Sequence, residues 1–254
     1  MRTKHQVAVA ALGAAAVMPF VGMTSAFAAN GDTMANLKPV PLNDVKGSGS
    51  AMVSVKGNML TVTMAASGLV KDQPHAAHIH FSAEARHECP VAGDDAKDDG
   101  HLNTTDGGPA YGEVVVSLTK TGDTSADSVL AVDRFDTASG GTISYERGSI
   151  EVSNDVAEAI ADGKSVVVIH GVDYNDNGKY DGDAKSDLDP SLPTEATDPA
   201  LCGVLFAAPA GGAATGGGGT ASDTTTAPLA LGGGLLLLAM GSGAYTFRRA
   251  RNQA

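Results

Sequence analysis

His75-Ala76-Ala77-His78-Ile79-His80 ends an apolar, alternating run with three histidines in six residues. Successive side chains of a β-strand point to opposite faces, so an extended conformation puts His78 and His80 on the same face. His170 completes a second β-like run, 165–169, and a neighbouring strand could bring it to that face. The pattern predicts part of a metal site. Histidines that only satisfy hydrogen bonds at a strand end are the alternative.

The region from residue 30 to residue 206 is long enough for one domain with its own core. Short apolar or alternating runs, separated by turn residues, occur at 50–55, 59–65, 76–81, 111–118, 141–147, 164–170 and 201–207. One short helix is expected, over 155–162. Two long polar loops, 82–109 and 171–200, each follow a histidine run. Many short strands and few helices predict an all-β fold, an antiparallel sandwich or barrel.

The two ends of the chain are typical of export and membrane anchoring. Residues 1–29 have a basic start, an apolar run and a small-residue end, which predict a signal peptide. Residues 207–226 consist almost wholly of small residues and predict a flexible linker. Residues 227–247 are uncharged and predict a transmembrane helix, since about twenty residues span a bilayer. The short basic tail, 248–254, is expected in the cytoplasm, so the domain 30–206 is expected outside the cell membrane.

Charge and cysteine content narrow the possible partners. The formal net charge of −12 argues against nucleic acid, which requires clustered Lys and Arg, and makes metal cations the natural small partners. The sequence indicates no particular protein partner. Cys89 and Cys202 are the only cysteines, and in an oxidising compartment an even pair predicts one disulfide. Two free thiols are the alternative.

The order of the motifs resembles the copper/zinc superoxide dismutase superfamily. The matching residues are His75-Ala-Ala-His78-Ile-His80, Cys89, His101-Leu-Asn, Asp106-Gly-Gly-Pro, His170-Gly and Cys202-Gly-Val-Leu. The chain equally resembles CHRD-type domains, which share such a histidine strand after a Ser-Gly-Leu turn, here residues 67–69. The resemblance implies a Greek-key sandwich or barrel of the superoxide dismutase-like type and the disulfide Cys89–Cys202. It also implies copper ligands at His78, His80 and His170, with His101 at the position that bridges two metals.

The departures from that pattern bear on metal and activity. Asp106 stands where the family has a histidine, and Tyr111 and Glu113 fall near the next expected ligands, so zinc is not expected. The family's substrate-guiding arginine is missing before Cys202, and residues 171–200 carry eight acids against two lysines. Such a loop would repel the superoxide anion. The expected function is therefore a cell-surface metal-binding domain, with copper and without catalysis. A copper-only superoxide dismutase-like oxidoreductase and a structural or adhesive domain without metal are the alternatives.

A second cation site is suggested by the stretch after His170. Its residues fit the first part of a D-x-[DN]-x-[DN]-G calcium loop, with oxygen ligands expected at Asp173, Asn175, Asn177 and Asp181. The twelfth position, where such loops place a bidentate Glu, is Ala184. The pattern predicts calcium binding, and an acidic turn without an ion is the alternative.

Overall fold

Antiparallel strands make up most of the structure, a computed structural model that describes residues 30–208. The strands are β1 (Asn30–Pro39), β2 (Ser48–Lys56), β3 (Met59–Ser67), β4 (Pro74–His75), β5 (Ala77–Phe81), β6 (Glu113–Ser117), β7 (Asp136–Thr137), β8 (Thr142–Glu151), β9 (Val166–His170), β10 (Pro199–Val204) and β11 (Phe206–Ala207). The α-helices in this range are α1 (Thr104–Tyr111) and α2 (Asn154–Ala161). The all-β prediction is confirmed, and α2 confirms the predicted helix to within a residue at each end.

The strands form one curled antiparallel sheet in the order β6-β5-β9-β10-β1-β2-β3-β8, with β11 also paired to β1. Strand β1 joins the two halves of this sheet. Its first eight residues pair with β2, whereas Lys38 and Pro39 pair with Cys202 and Leu201 of β10. The remaining two strands, β4 and β7, form a small separate sheet. The half of the sheet that contains β5, β9 and β10 carries the histidines.

Alternate residues from both halves of the sheet share one apolar core. It includes Ala35, Leu37, Val53, Leu60, Val62, Ile79, Val167, Ile169 and Leu201. The strict alternation of buried and exposed residues along β3 follows from the period of two in a strand with one wet face. Each fully buried Val, Leu or Ile of this core contributes about 1.5–3 kcal/mol to the free energy of folding.

Strands β5 and β9 differ from β3 because residues on both of their faces are buried. Ile79, Val167 and Ile169 face the main core. On the opposite face, Val166 and Val168 belong to a second apolar cluster with Val40, Leu102, Tyr111 and Cys202. Long connections cover this second face, and His78, His80 and His170 are buried beneath them.

The connection between β5 and β6, residues 82–112, is called the helical loop because it contains α1. The prediction of a loop without regular structure over 82–109 is wrong for residues 104–109. Asn103 caps α1: its side chain accepts a hydrogen bond from the backbone of Asp106 at 2.9 Å, and the Asp106 carboxylate accepts one from the backbone of Asn103 at 3.1 Å. The predicted strand at 111–118 accordingly begins only at Glu113.

One disulfide bond and one set of hydrogen bonds hold the helical loop against β10. The predicted disulfide Cys89–Cys202 is confirmed, and it joins the loop to the middle of that strand. The buried side chain of Asn43 donates to the carbonyl oxygens of Leu102 and Pro199, at 2.8 and 2.9 Å, and accepts from the backbone of Leu102. The loop is therefore held against the face of the sheet that carries the histidines.

The predicted signal peptide and transmembrane helix lie outside the described residues, as do the basic tail and all but the first two residues of the predicted linker. Within residues 30–208, neither α-helix has the length and apolar character needed to cross a bilayer.

Candidate metal centre

Strand pairing brings three histidines together. Strand β5 pairs antiparallel with β9 in the register that sets His78 opposite Val168, and the backbone N–H of His170 donates to the carbonyl of Ala76. His170 is thereby a diagonal neighbour of His78 on the same face. One ring nitrogen from each of His78, His80 and His170 lies within 4.8 Å of the other two. These three residues are the histidine cluster.

Backbone carbonyls determine which nitrogen of each ring carries hydrogen. The Nε2 of His78 lies 3.1 Å from the carbonyl oxygen of Val129. The Nδ1 of His80 lies 3.0 Å from that of Gly112, and the Nδ1 of His170 lies 2.6 Å from that of Thr197. A carbonyl oxygen only accepts hydrogen bonds, so each of these nitrogens is the donor. The other nitrogen of each neutral ring then holds a free lone pair.

The three lone-pair nitrogens are buried and have no hydrogen-bond partner. They are Nδ1 of His78, Nε2 of His80 and Nε2 of His170. The other buried side-chain atoms without a partner in residues 30–208 are two serine hydroxyls, Ser117 and Ser165. A buried polar atom without a partner costs about 1–3 kcal/mol, and such atoms call for an explanation. A metal ligated at all three nitrogens would provide it, with each opposite N–H fixed by a carbonyl as metal-binding histidines require.

Burial keeps the cluster uncharged. Desolvation lowers the pKa of His80 to about 3 and that of His170 to about 4. It also holds the pKa of His78 well below its usual value, and the neighbouring rings His170 and His80 lower it further. All three imidazoles are therefore neutral at physiological pH, the form in which imidazole binds metals.

A cavity of about 30 Å³ lies in front of the histidine cluster. Its walls are mainly apolar and include Val129, Leu130, Val132, Leu188 and Leu192. A site for one water needs about 10–15 Å³, so the cavity has room for an ion and one small further ligand. Neither Lys nor Arg is among the residues that line it.

The three orienting carbonyls come from separate connections. Gly112 ends the helical loop, and its φ of 88° together with the close approach of Ser82 requires glycine there. Val129 follows the 3₁₀ turn Ala126–Ser128. Thr197 belongs to the connection between β9 and β10, residues 171–198, which is called the acidic loop. The Thr197 carbonyl also accepts the hydroxyl of Thr104 at 2.7 Å, so the acidic and helical loops meet above His170.

Sequence reasoning missed these three carbonyls. Backbone groups carry no residue-specific signal, and the segments that supply them lie far apart in sequence.

The fourth predicted ligand, His101, lies elsewhere. Its side chain is exposed, and its ring centroid is 4.1 Å from that of Tyr174 in the acidic loop. The structure therefore brings His78, His80 and His170 together without His101. Tyr111, which fell near an expected ligand of the family pattern, is buried with its ring centroid 4.4 Å from that of His80. Its hydroxyl donates to the carbonyl of Thr104, the first residue of α1, and its ring packs against His80.

His75 lies in β4, directly before β5 in the chain, and its ring supports the histidine cluster. Its Nδ1 lies 2.7 Å from the carbonyl oxygen of His170, its Nε2 lies 3.1 Å from that of Val70, and the hydroxyl of Tyr180 lies 3.1 Å from Nε2. A side chain at Gly171 would collide with this pair, because an added Cβ would lie 2.2 Å from the Tyr180 hydroxyl. His75 therefore has a structural role.

The predicted calcium residues do form a compact turn in the acidic loop. The Asp173 carboxylate accepts hydrogen bonds from the backbone of Asn177 and Gly178, and the side-chain amides of Asn175 and Asn177 donate to Asp181. The buried carboxylate of Glu195, which the sequence pattern did not single out, accepts from the backbone of Tyr174 at 2.9 Å and of Asp181 at 2.7 Å. Calcium binding at this turn stays a prediction.

Neither the comparison with protein-family models nor the search of curated proteins finds a match for this sequence. The resemblance to superoxide dismutase-like and CHRD-type domains therefore rests on the order of the motifs. The geometry of the histidine cluster defines a possible three-nitrogen metal site.

Proposed function

We propose that this protein is a cell-surface metal-binding domain that holds one copper ion through His78, His80 and His170. The observation that carries the proposal is the convergence of three buried, unpartnered lone pairs within 4.8 Å of one another. With neither an ion nor a water in the cavity, these nitrogens would stay unsatisfied, at about 1–3 kcal/mol each. Ligation by one ion removes that cost for all three.

The donor set favours copper. Imidazole nitrogen suits copper, zinc, iron and nickel, and copper stands highest in the usual affinity order of divalent metals. Three rigidly held rings leave coordination positions open toward the cavity. Bound copper would supply one-electron redox chemistry there. The residues of this chain do the rest: the carbonyls of Val129, Gly112 and Thr197 orient the rings, and the apolar walls limit access by water.

The cellular setting and the finer fold type belong to the same proposal. Residues 1–29 and 227–247 have the composition of a signal peptide and a membrane anchor, so the domain acts outside the cell membrane. The disulfide Cys89–Cys202 fits an oxidising compartment. The curled antiparallel sheet with two long loops, each beginning at the end of a histidine strand, agrees with a superoxide dismutase-like or CHRD-type architecture.

Binding is proposed in preference to catalysis because nothing in the site attracts an anionic substrate. No Lys or Arg lines the cavity, and the acidic loop covers it from one side. Positive fields raise the association rate of an anion by roughly 10- to 1000-fold, and this protein has the opposite field.

The test is copper retention by the purified protein after chelator treatment, loading and desalting. Wild type should retain one copper per chain. The double variant His78→Ala/His80→Ala should lose more affinity than the roughly 10- to 100-fold that follows loss of an outer hydrogen-bond partner. His101→Ala is the matched control, since it removes an exposed imidazole outside the cluster.

Circular dichroism of the metal-free proteins checks that each variant is folded. Equal retention by wild type and the double variant would refute the site. A superoxide-decay assay on the loaded protein separates binding from catalysis: a rate above that of protein-free solution would establish the oxidoreductase instead. Absence of copper retention by wild type would favour the metal-free structural domain.

A further inference from the structure

The polarity of the cavity walls above the histidine cluster determines which molecules can reach a metal bound there. Among the lining residues, Val129, Leu130, Val132, Leu188 and Leu192 present aliphatic side chains. Val132 and Leu188 are also 44 % and 43 % exposed, whereas most large aliphatic residues between positions 30 and 208 are buried. They form an apolar rim at the junction between the cavity and solvent.

The hydroxyl groups in the lining already donate hydrogen bonds within the protein. The hydroxyl of Thr104 donates to the carbonyl of Thr197, and the hydroxyl of Thr197 donates to that of Ser186 at 2.7 Å. With the outward-facing ring nitrogens of the cluster bound to an ion, no lining side chain remains to solvate a second charged group. An anion that entered would lose its hydration shell and find the bound ion as its only partner, because no side-chain donor in the lining is free, whereas an uncharged ligand loses little hydration.

The surroundings add repulsion. Leu188 is flanked in sequence by Asp187 and Asp189, and the Asp187 carboxylate accepts a hydrogen bond from the backbone of Thr105 beside the cavity. These acids disfavour an incoming anion and leave an uncharged molecule unaffected.

We infer that the open side of the histidine cluster is a binding site for a small uncharged molecule of diatomic size, and that its aliphatic walls exclude anions. The inference rests on the proposed metal function and specifies the ligand class of that site. It also accounts for the missing guiding arginine, because an uncharged ligand needs no electrostatic attraction. Val132 and Leu188 are the specificity-determining residues, since they set the polarity of the entrance.

Two small linear probes of different charge, carbon monoxide and the triatomic azide anion, test this on the intact protein loaded with one equivalent of copper, and the variants Leu188→Lys and Val132→Lys control for the greater length of azide. Carbon monoxide is added anaerobically to the ascorbate-reduced protein, and the C–O stretching band is followed by infrared spectroscopy. Azide is added to the oxidised protein, and its charge-transfer absorption is followed. Wild type should bind carbon monoxide and show no azide band.

Leu188→Lys and Val132→Lys each place a cation at the rim, and either should raise the affinity for azide by roughly tenfold or more, the size expected for a charge several ångströms away at the protein surface. Both positions are well exposed, so the lysines can reach solvent. Val91→Lys is the matched control, because Val91 is 54 % exposed and does not line the cavity. It should behave as wild type.

Copper analysis of the same samples separates the possible failures. A wild-type protein that retains copper but binds azide, or binds neither probe, overturns the inference and leaves metal binding intact. A protein that retains no copper overturns both. A gain in azide affinity in Val91→Lys equal to that in the rim variants would show that net charge, and not the rim, controls access.

Discussion

The histidine cluster and the turn of the acidic loop at residues 173–181 both offer ligands to cations, and they hold those ligands in opposite ways. In the cluster, three neutral nitrogens are buried, and their lone pairs have no partner. In the turn, Asp173 and Asp181 are half-buried, and their carboxylates already accept hydrogen bonds from the turn's own backbone and amides. These bonds, from Asn177 first, lower the pKa of Asp181.

The difference teaches which feature of a site indicates a ligand. Lone pairs that are buried and unsatisfied represent a free-energy cost that only a ligand removes. Carboxylates that are hydrogen-bonded and hydrated carry no such cost, so their clustering is compatible with an ion and with none. The fold therefore leaves the lone-pair nitrogens of the cluster without partners, whereas hydrogen bonds within the acidic turn hold its carboxylates.

The largest effect of a single substitution at neutral pH is expected at Glu195, the buried carboxylate that holds the acidic turn. Glu195→Gln should lower the free energy of unfolding by about 2 kcal/mol, because a hydrogen bond to a charged group is worth about 1.5–3 kcal/mol and the new amide N–H₂ would face a backbone N–H. Urea unfolding of the metal-free protein measures it. Glu158→Gln, at an exposed helical position, is the matched control and should change stability by less than about 0.5 kcal/mol.

Copper retention in Glu195→Gln sharpens the comparison. If the cluster and the acidic turn are independent, this variant retains copper as wild type does, although it unfolds at lower urea. Loss of copper together with stability would show that the two regions form one cooperative unit, coupled through Thr197 and His170.

The next effect is a pH dependence from Asp198, which is 1 % exposed and lies between the two regions. Burial raises the pKa of this carboxyl from 3.8 to about 7, against the hydrogen bonds that it accepts from Tyr174 and Thr194. Between those two pH values the folded chain binds a proton that the unfolded chain releases. The contribution of this group is thus fully present below pH 3.8 and is lost as the pH rises through 7, at up to about 1.4 kcal/mol per pH unit.

Comparison with Asp198→Asn isolates this contribution. The buried histidines have lowered pKa values and change stability in the opposite direction, but they are common to both proteins. Urea unfolding at pH 5, 6, 7 and 8, without metal, should therefore show wild type gaining stability over Asp198→Asn as the pH falls. Parallel stability curves would show that Asp198 is ionised throughout this range.

The strands around the histidines could be predicted because their alternation is strong. The period of two along residues 59–65 and 76–81 follows directly from strand geometry, and both runs are strands in the structure. Strand β1 could not be predicted in the same way, since two of its three inward residues, Thr33 and Ala35, are polar or small and only Leu37 is large and apolar. Helix α1 contains two glycines and a proline, which normally indicate a turn, and only its Asn103–Asp106 cap gave a local sign.

The site was partly predictable for a related physical reason. His78 and His80 share a face by strand period alone, and pairing of β5 with β9 brings His170 to them. His101 entered through the resemblance and not through geometry, and the helical loop carries it to Tyr174 instead. Nothing in the sequence could indicate the carbonyls of Val129, Gly112 and Thr197, because tertiary structure alone sets those positions.

The smallest expected effect is that of calcium on the acidic turn. Its measurement tests most directly whether missing hydrogen-bond partners distinguish the histidine cluster from the turn. Extracellular sites of this kind bind calcium at about 10⁻⁴–10⁻³ M, so 2 mM calcium should stabilise the folded protein by about 1 kcal/mol. Thermal unfolding with and without calcium measures the shift in midpoint.

Asp181→Asn should reduce that shift because it removes charge from a predicted ligand, while Asp155→Asn, at an exposed position of α2, should leave it unchanged. An unchanged midpoint in wild type would mean that the turn binds no calcium and is held by its internal hydrogen bonds alone. A midpoint shift that corresponds to well over 1 kcal/mol of stabilisation would mean that hydrogen-bonded, half-buried carboxylates bind a cation as strongly as buried imidazoles without partners. The absence of hydrogen-bond partners would then not be the feature that distinguishes the two regions.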